Sequence, residues 1–266
     1  MRHSNPQEIL QKTIDSAAAK TNLHISQLIV LGFLAGMFIA LAGAGANMGS
    51  YFLLADPETS GMGRMVSGLI FPSGIIIVVL AGAELFTGNN LMLAAVLDKK
   101  INLTAMIKNW VIVFLSNFAG SVFVAWMVSA ADLLAAGEGM LEHVTVSIAA
   151  SKVSLTFGQA FLRAVLCNFL VCLAVWMAAG AESTAGKVSA LFFPIWLFVT
   201  AGFEHSVANM FFIPAAMFSG APIGMGDFLV NNLLPVTLGN IVGGSILTAG
   251  AYYFAYRGLS KVNRPN

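Results

Sequence analysis

Apolar residues run along this chain in six blocks separated by short polar connections. The first, residues 28–55, carries no charge over its whole length, enough to cross about 30 Å of hydrocarbon with some tilt. The others cover 65–97, 109–131, 164–181 (starting as early as 156), 188–218 and 233–256. Residues 132–154 read as a long, mostly acidic connection and 219–232 as a Gly/Pro-rich loop. Ahead of the blocks, Asn5-Pro6-Gln7-Glu8 spells a capping box with proline at the first helical position. Ile9, Leu10, Ile14 and Ala17 follow at helical spacing, with Lys12, Asp15 and Lys20 away from them. That pattern predicts an amphipathic helix lying at a membrane surface. The expected organisation is an N-terminal helix in 1–27, a membrane domain in 28–256 and a tail in 257–266.

Two blocks are interrupted. Residues 81–90 read AGAELFTGNN and residues 201–210 read AGFEHSVANM. Each places a glutamate, Glu84 or Glu204, in an otherwise uncharged stretch, after Gly82 or Gly202 and five residues before Asn89 or Asn209. Glycine is a poor helix former and asparagine a good N-cap. The second helix is therefore expected to break near Gly202, loop over 203–208 and restart at Asn209; the first is expected to break over 84–88. The halves match again where Asn117, Gly120 and Ser121 recur as Asn240, Gly243 and Ser245. Two copies, about 28–131 and 156–256, of three spans each must be inverted about an axis in the membrane plane. Irregular backbone at that depth is tolerated only inside protein or along a cavity.

Composition agrees with the pattern. The chain of 266 residues is 58% hydrophobic and only 9% charged, against about 25% charged in soluble domains. A net charge of +1 leaves no nucleic-acid footprint. The first apolar block is too long for a signal-peptide core. Arg2, Lys12, Lys20, Lys99, Lys100, Lys108, Lys187, Arg257, Lys261 and Arg264 fall on one side of a six-span topology. Only Arg64, Lys152 and Arg163 fall on the other, with Asp56, Glu58, Asp132, Glu138, Glu142 and Asp227. The positive-inside rule then places both termini in the cytoplasm. Cys167 and Cys172, five residues apart, read as small buried hydrophobes.

The breaks carry the candidate chemistry. A half-helix start exposes free N–H groups and the positive end of its dipole, which favour an anion. Two such starts facing the midplane attract small anions and repel cations. Glu84 and Glu204 are expected to brace the loops by accepting backbone N–H bonds, although two buried glutamates are also what a cation site needs. His205 is the titratable group in the middle. An ordinary imidazole, titrating at about 6.5, exchanges protons with a weak acid near neutrality; a core histidine satisfied by its neighbours is the plainer alternative. Thr87 offers a hydroxyl at the first break, and bulky residues such as Leu85, Phe86, Phe198 and Phe203 could form constrictions.

AGAELFTGNN, CNFLVCLAVWMA (167–178), AGFEHSVANMFFIP (201–214) and NNLLPVTLGNIVGG (231–244) resemble the formate/nitrite transporter family over essentially all six spans. The resemblance implies an all-α membrane protein with an aquaporin-like protomer, two broken helices, and a homopentamer with one pore per protomer. It implies passage of formate, nitrite or hydrosulfide, and no cofactor. By motif, Leu85 and Phe198 look like the central constriction, Phe71 and Ile75 like a cytoplasmic-side slit, and Thr87 and His205 like the polar pair at the midpoint. Lys152 resembles a lysine that makes the outer vestibule positive. Asn168 and Asn240 resemble asparagines near the pore, and Glu204 and Asn209 loop braces. GAELFTGN matches neither the GADLFTS of many formate channels nor the GSELFTGH of nitrite ones, and the reading leans to formate.

The expectation is a weak-acid anion channel or transporter in the cell membrane, with His205 exchanging a proton with the anion. A nitrite or hydrosulfide channel, or a neutral-solute channel, is the alternative, although the Asn-Pro-Ala repeats of water channels are absent. No enzyme is expected: HExxH and Gly-x-Ser-x-Gly are missing, and no metal site is foreseen.

Overall fold

The computed structural model of the chain describes residues 4–258, which are helical and contain no strand. Ten helices are numbered here in chain order. They are α1 (Pro6–Thr21), α2 (Ile25–Ala55), α3 (Ser60–Ala81), α4 (Phe86–Leu97) and α5 (Leu103–Ala130), then α6 (Met140–Val153), α7 (Phe157–Gly180), α8 (Thr184–Thr200), α9 (Ser206–Phe218) and α10 (Asp227–Arg257). Five of them, α2, α3, α5, α7 and α10, are long and apolar enough to cross a membrane. Short polar caps set where they begin. Asn102 accepts from Ala105 N–H ahead of α5, Thr156 makes a capping box with Gln159 ahead of α7, and Ser183 accepts from Gly186 N–H ahead of α8. Each cap satisfies an N–H that the first helical turn leaves without a partner.

The spans pack through small residues. A Cβ at Gly120 would strike the carbonyl of Phe33, and one at Gly243 the carbonyl of Val165. With no hydrophobic drive between helices in lipid, such backbone approach is what brings α5 onto α2 and α10 onto α7. Ile29, Phe52, Leu115, Leu162, Phe193 and Phe254 point outward and are exposed. A surface that apolar suits hydrocarbon or neighbouring copies and not water.

Two elements differ from the sequence expectation. Residues 132–154 are not a plain connection, because they hold α6, whose Leu141, Val144, Thr145 and Ala149 are buried. Its apolar positions are too few and its flanks too acidic for the segment to stand out. The predicted α1 forms with the Asn5–Glu8 capping box, but its apolar face is turned onto protein. Ile9, Leu10 and Ile14 are 4%, 2% and 0% exposed, buried in the core shared with α4 and α7. Burial of each contributes about 2 kcal/mol, which holds the helix to the bundle. Arg257 fastens the same end. Its guanidinium donates to Asp98, at 2.6 and 2.9 Å, and to Gln11 at 2.7 Å. Arg2, Lys261 and Arg264 lie outside the described residues.

Candidate functional site

Both interruptions are built the same way. At the first, α3 ends at Ala81, Gly82 takes a left-handed φ of 79°, Leu85 is extended, and α4 starts at Phe86. At the second, α8 ends at Thr200, Gly202 has φ 72°, His205 is extended, and α9 starts at Ser206. Only glycine adopts that left-handed turn at no steric cost. The helix restarts three residues earlier than Asn209 because His205 is the cap: its Nδ1 accepts from Ala208 N–H at 3.1 Å. Asn209 is therefore inside α9, and its side chain is used elsewhere.

Paired asparagines hold each loop. Asn117 accepts from Phe86 N–H (2.9 Å) and donates to the carbonyls of Gly32 (2.7 Å) and Glu84 (2.9 Å). Asn240 accepts from Ser206 N–H (2.9 Å) and donates to those of Ala164 (2.9 Å) and Glu204 (3.0 Å). The glutamates brace as well, but not through backbone N–H groups as expected. Glu84 accepts from Lys20 (2.7 Å) and Asn89 (2.7 Å), while Glu204 accepts from Lys152 (3.0 and 3.2 Å) and Asn209 (2.7 Å). Asn89 and Asn209 then donate on to Asn109 and Asn232. Lysine, glutamate and asparagine thus form one chain of bonds at each break. Lys20 on α1 stands to Glu84 as Lys152 on α6 stands to Glu204. These buried carboxylates are paired and hydrogen-bonded, as a buried charge must be, and present no vacant cation site.

Between the two starts, Thr87 Oγ1 and His205 Nε2 are 2.9 Å apart, on residues 118 positions apart in sequence. Thr87 is 0% and His205 3% exposed. Because Nδ1 accepts a backbone N–H, the neutral ring carries its proton on Nε2 and donates it to Thr87. The threonine hydroxyl proton is left to donate to something else. N–H groups of Thr87, Gly88 and Val207 also lack an acceptor among the described residues. Donors without acceptors, at two facing helix starts, suit an anion.

A cavity approaches from each side. The smaller, about 120 Å³, is lined by Lys12 and Lys20 of α1, with Ile75, Leu85 and Asn89. The larger, about 580 Å³, is lined by Phe71, Phe198, Phe203, Glu204, His205 and Lys152, with Arg64, His143 and Arg163 at its rim. Phe71 meets Phe198 edge-on with ring centroids 5.9 Å apart, and Phe198 lies nearly parallel to the His205 ring at 6.0 Å.

The expected pore residues regroup on this geometry. Phe71 and Ile75 do not share a slit, since Phe71 faces the large cavity beside Phe198 and Ile75 the small one beside Leu85. Four residues apart on the sequence, they are separated along the axis of α3, and spacing alone could not say which side each faces. Leu85 and Phe198 likewise lie on opposite sides of the Thr87–His205 contact. Asn168 and Asn240 line neither cavity: Asn168 donates to Thr87 O (3.2 Å), Asn90 Oδ1 (2.7 Å) and Asn240 O (2.7 Å) from behind the loops. Phe86 packs on Trp110 and Phe114. Cys167 and Cys172 are free and buried, Cys172 donating to the carbonyl of Thr87 at 3.2 Å. Lys20, Asn109 and Asn232 were not singled out as site residues. The even spacing of Asn109 and Asn117 from Asn232 and Asn240, 123 residues in each case, was the signal available.

The sequence profile of the formate/nitrite transporter family matches residues 7–254. A probable formate transporter of Methanothermobacter thermautotrophicus is 44% identical over 254 residues, covering 90% of this chain and 92% of its own. The formate channel BtFdhC of Bacillus thuringiensis is 37% identical, covering 97% of each. Among solved structures, a pentameric formate channel with formate bound superposes with a TM-score of 0.77 at 34% identity, over 87% of this chain and 97% of that one. An ion channel of the same family gives 0.78 at 30% identity, over 93% and 98%.

Proposed function

This chain belongs to the formate/nitrite transporter family, and on that premise we propose that it passes small monovalent anions of weak acids across a cell membrane, formate first. The observation that carries the reading is the Thr87–His205 contact, which joins two half-helix starts between two cavities. The relatives' names favour formate over nitrite or hydrosulfide. In this reading α8 and α9 together make a sixth, broken span. The two halves are inverted repeats, five copies assemble, and both termini face the cytoplasm with the small cavity.

An anion reaching the middle passes an apolar girdle on either side, Phe71 and Phe198 or Ile75 and Leu85. These exclude water and penalise charge. At the centre it meets the hydroxyl of Thr87 and the unpaired N–H groups. His205 acts there as a neutral donor: protonating it at Nδ1 means giving up the Ala208 cap, which costs about 1 kcal/mol. Proton exchange with the imidazole is therefore coupled to loosening the start of α9, and a proton from vestibule water accompanies the anion more readily.

Purified protein in liposomes tests this with formate, nitrite, hydrosulfide and chloride at two pH values. Formate flux well above empty liposomes, with chloride excluded, is expected. Equal passage of chloride, or no flux of any weak acid, overturns the proposal, and an electrogenic formate current excludes strictly neutral passage.

A further inference from the structure

We infer that Arg64 and Arg163, rather than Lys152, form the anion-collecting site at the mouth of the large cavity, and that they take a small monocarboxylate; the inference rests on the transport reading above. The argument starts from which charges at that mouth are already spent. Lys152 Nζ lies 3.0 and 3.2 Å from the two oxygens of Glu204, with its side chain only 14% exposed. That pair cancels itself and projects little field. Arg64 and Arg163 line the same cavity and are exposed, and their guanidiniums have no hydrogen bond or ion pair among the described residues. Both flank the second break. An Arg64 Nη1 lies 4.0 Å from where a Cβ on Gly202 would stand, and the Arg163 carbonyl accepts from Glu204 N–H at 3.4 Å.

The other mouth supplies the contrast. At the first break the carbonyl that accepts the loop glutamate's N–H belongs to Leu31, at 3.2 Å. The same backbone position therefore bears leucine on one side and arginine on the other. Lys20 there is paired with Glu84, and Lys12 donates to Ser4 at 2.8 Å. The bracing scheme is common to both breaks, whereas two unpaired guanidiniums belong to one. His143, His205, Glu204 and Lys152 are the other titratable groups on that cavity's wall. Of these, only the His143 side chain stands without a partner among the described residues. A guanidinium fork matches a carboxylate in two parallel bonds, and charges lining a cleft raise the local concentration of the opposite ion.

The test compares the R64Q/R163Q double variant, the charge-retaining R64K/R163K variant and the unaltered protein in liposomes. Formate uptake is measured against concentration at about 10 mM and about 1 M ionic strength, where screening lengths are about 30 and 3 Å. The glutamine variant is expected to raise the half-saturating concentration about fivefold at low salt, with the maximal rate kept. The difference should vanish at high salt, and the lysine variant should retain most of the affinity. An unchanged half-saturation at low salt overturns the inference, as does a fall in maximal rate alone. A second readout works without transport: phenylglyoxal modification of Arg64 and Arg163 in the solubilised protein, read by peptide mass, should be slowed by formate at low salt. Absence of protection overturns the inference even if flux is normal. Protection without flux would instead sink the transport reading and leave the site standing.

Discussion

Replacing Asn240 isolates what holds the second break open. Its carboxamide makes three bonds, one accepted from Ser206 N–H and two donated to the carbonyls of Ala164 and Glu204, and it is 0% exposed. Asn240→Ala leaves the Ser206 N–H and the Glu204 carbonyl buried without partners, and takes a second bond from the Ala164 carbonyl, which its own helix already pairs. At about 1 kcal/mol for each bond lost, and more where a buried donor is stranded, the cost is about 3–5 kcal/mol. For a chain of this size that lowers the unfolding midpoint by roughly 10 °C. Asn240→Asp is the sharper probe, since it keeps the shape and removes only the donors. An aspartate faces both carbonyls with oxygen, so it should destabilise at least as much as alanine. The assay is the thermal midpoint of the purified protein, with Asn117→Ala as a matched control that should fall by a similar amount. An aspartate variant as stable as the parent would refute the reasoning, because the two carbonyls would then not depend on that amide.

Three other outcomes follow from the same geometry. Lys152→Met strands Glu204, 4% exposed, and should cost about 3–5 kcal/mol, while the Lys152→Met/Glu204→Gln pair recovers most of it, read from the same thermal midpoints. Gly120→Ala and Gly243→Ala should each destabilise by more than 1 kcal/mol in the same assay, since the added methyl meets a backbone carbonyl and not a movable side chain. His205→Asn, which keeps a capping oxygen, should retain a reduced formate flux that still varies between pH 5 and 8, whereas His205→Phe should abolish flux; a pH-independent flux in the asparagine variant would return the proton-source role to the imidazole.

Much of the frame was legible because membrane residence simplifies the alphabet. Uncharged blocks gave the five long apolar helices α2, α3, α5, α7 and α10, and Glu84 and Glu204 stood out because a charge at depth is rare. The A-G-x-E pattern located both breaks and the turn at Gly202, although the first interruption covers 82–85 and not the expected 84–88, because the helix restarts at Phe86. The identity of the helix cap was not legible. Asn209 has the stronger intrinsic preference, yet His205 caps while Asn209 is committed to Glu204 and Asn232. That choice depends on contacts 23 residues away. The roles of Lys20 and Lys152 were hidden for a related reason. Lys20 sits on α1, which reads as a surface helix, and Lys152 on α6, in a stretch that reads as a connection, and only the fold brings each to its glutamate. Side along the pore axis was lost as well: Phe71 and Ile75 are one helical turn apart, and that turn carries them to different cavities.

The central claim is that two facing half-helix starts, bridged by Thr87 and His205, hold a small weak-acid anion at the middle of the protein. Thr87→Val tests it most directly, because the swap keeps the shape and removes one hydroxyl from a residue that is 0% exposed. A hydrogen bond to a charged group contributes about 1.5–3 kcal/mol. Formate flux in liposomes should therefore fall by about 10- to 100-fold, while the thermal midpoint drops only by the few degrees that losing the His205 bond costs, and flux equal to that of the unaltered protein would contradict the account.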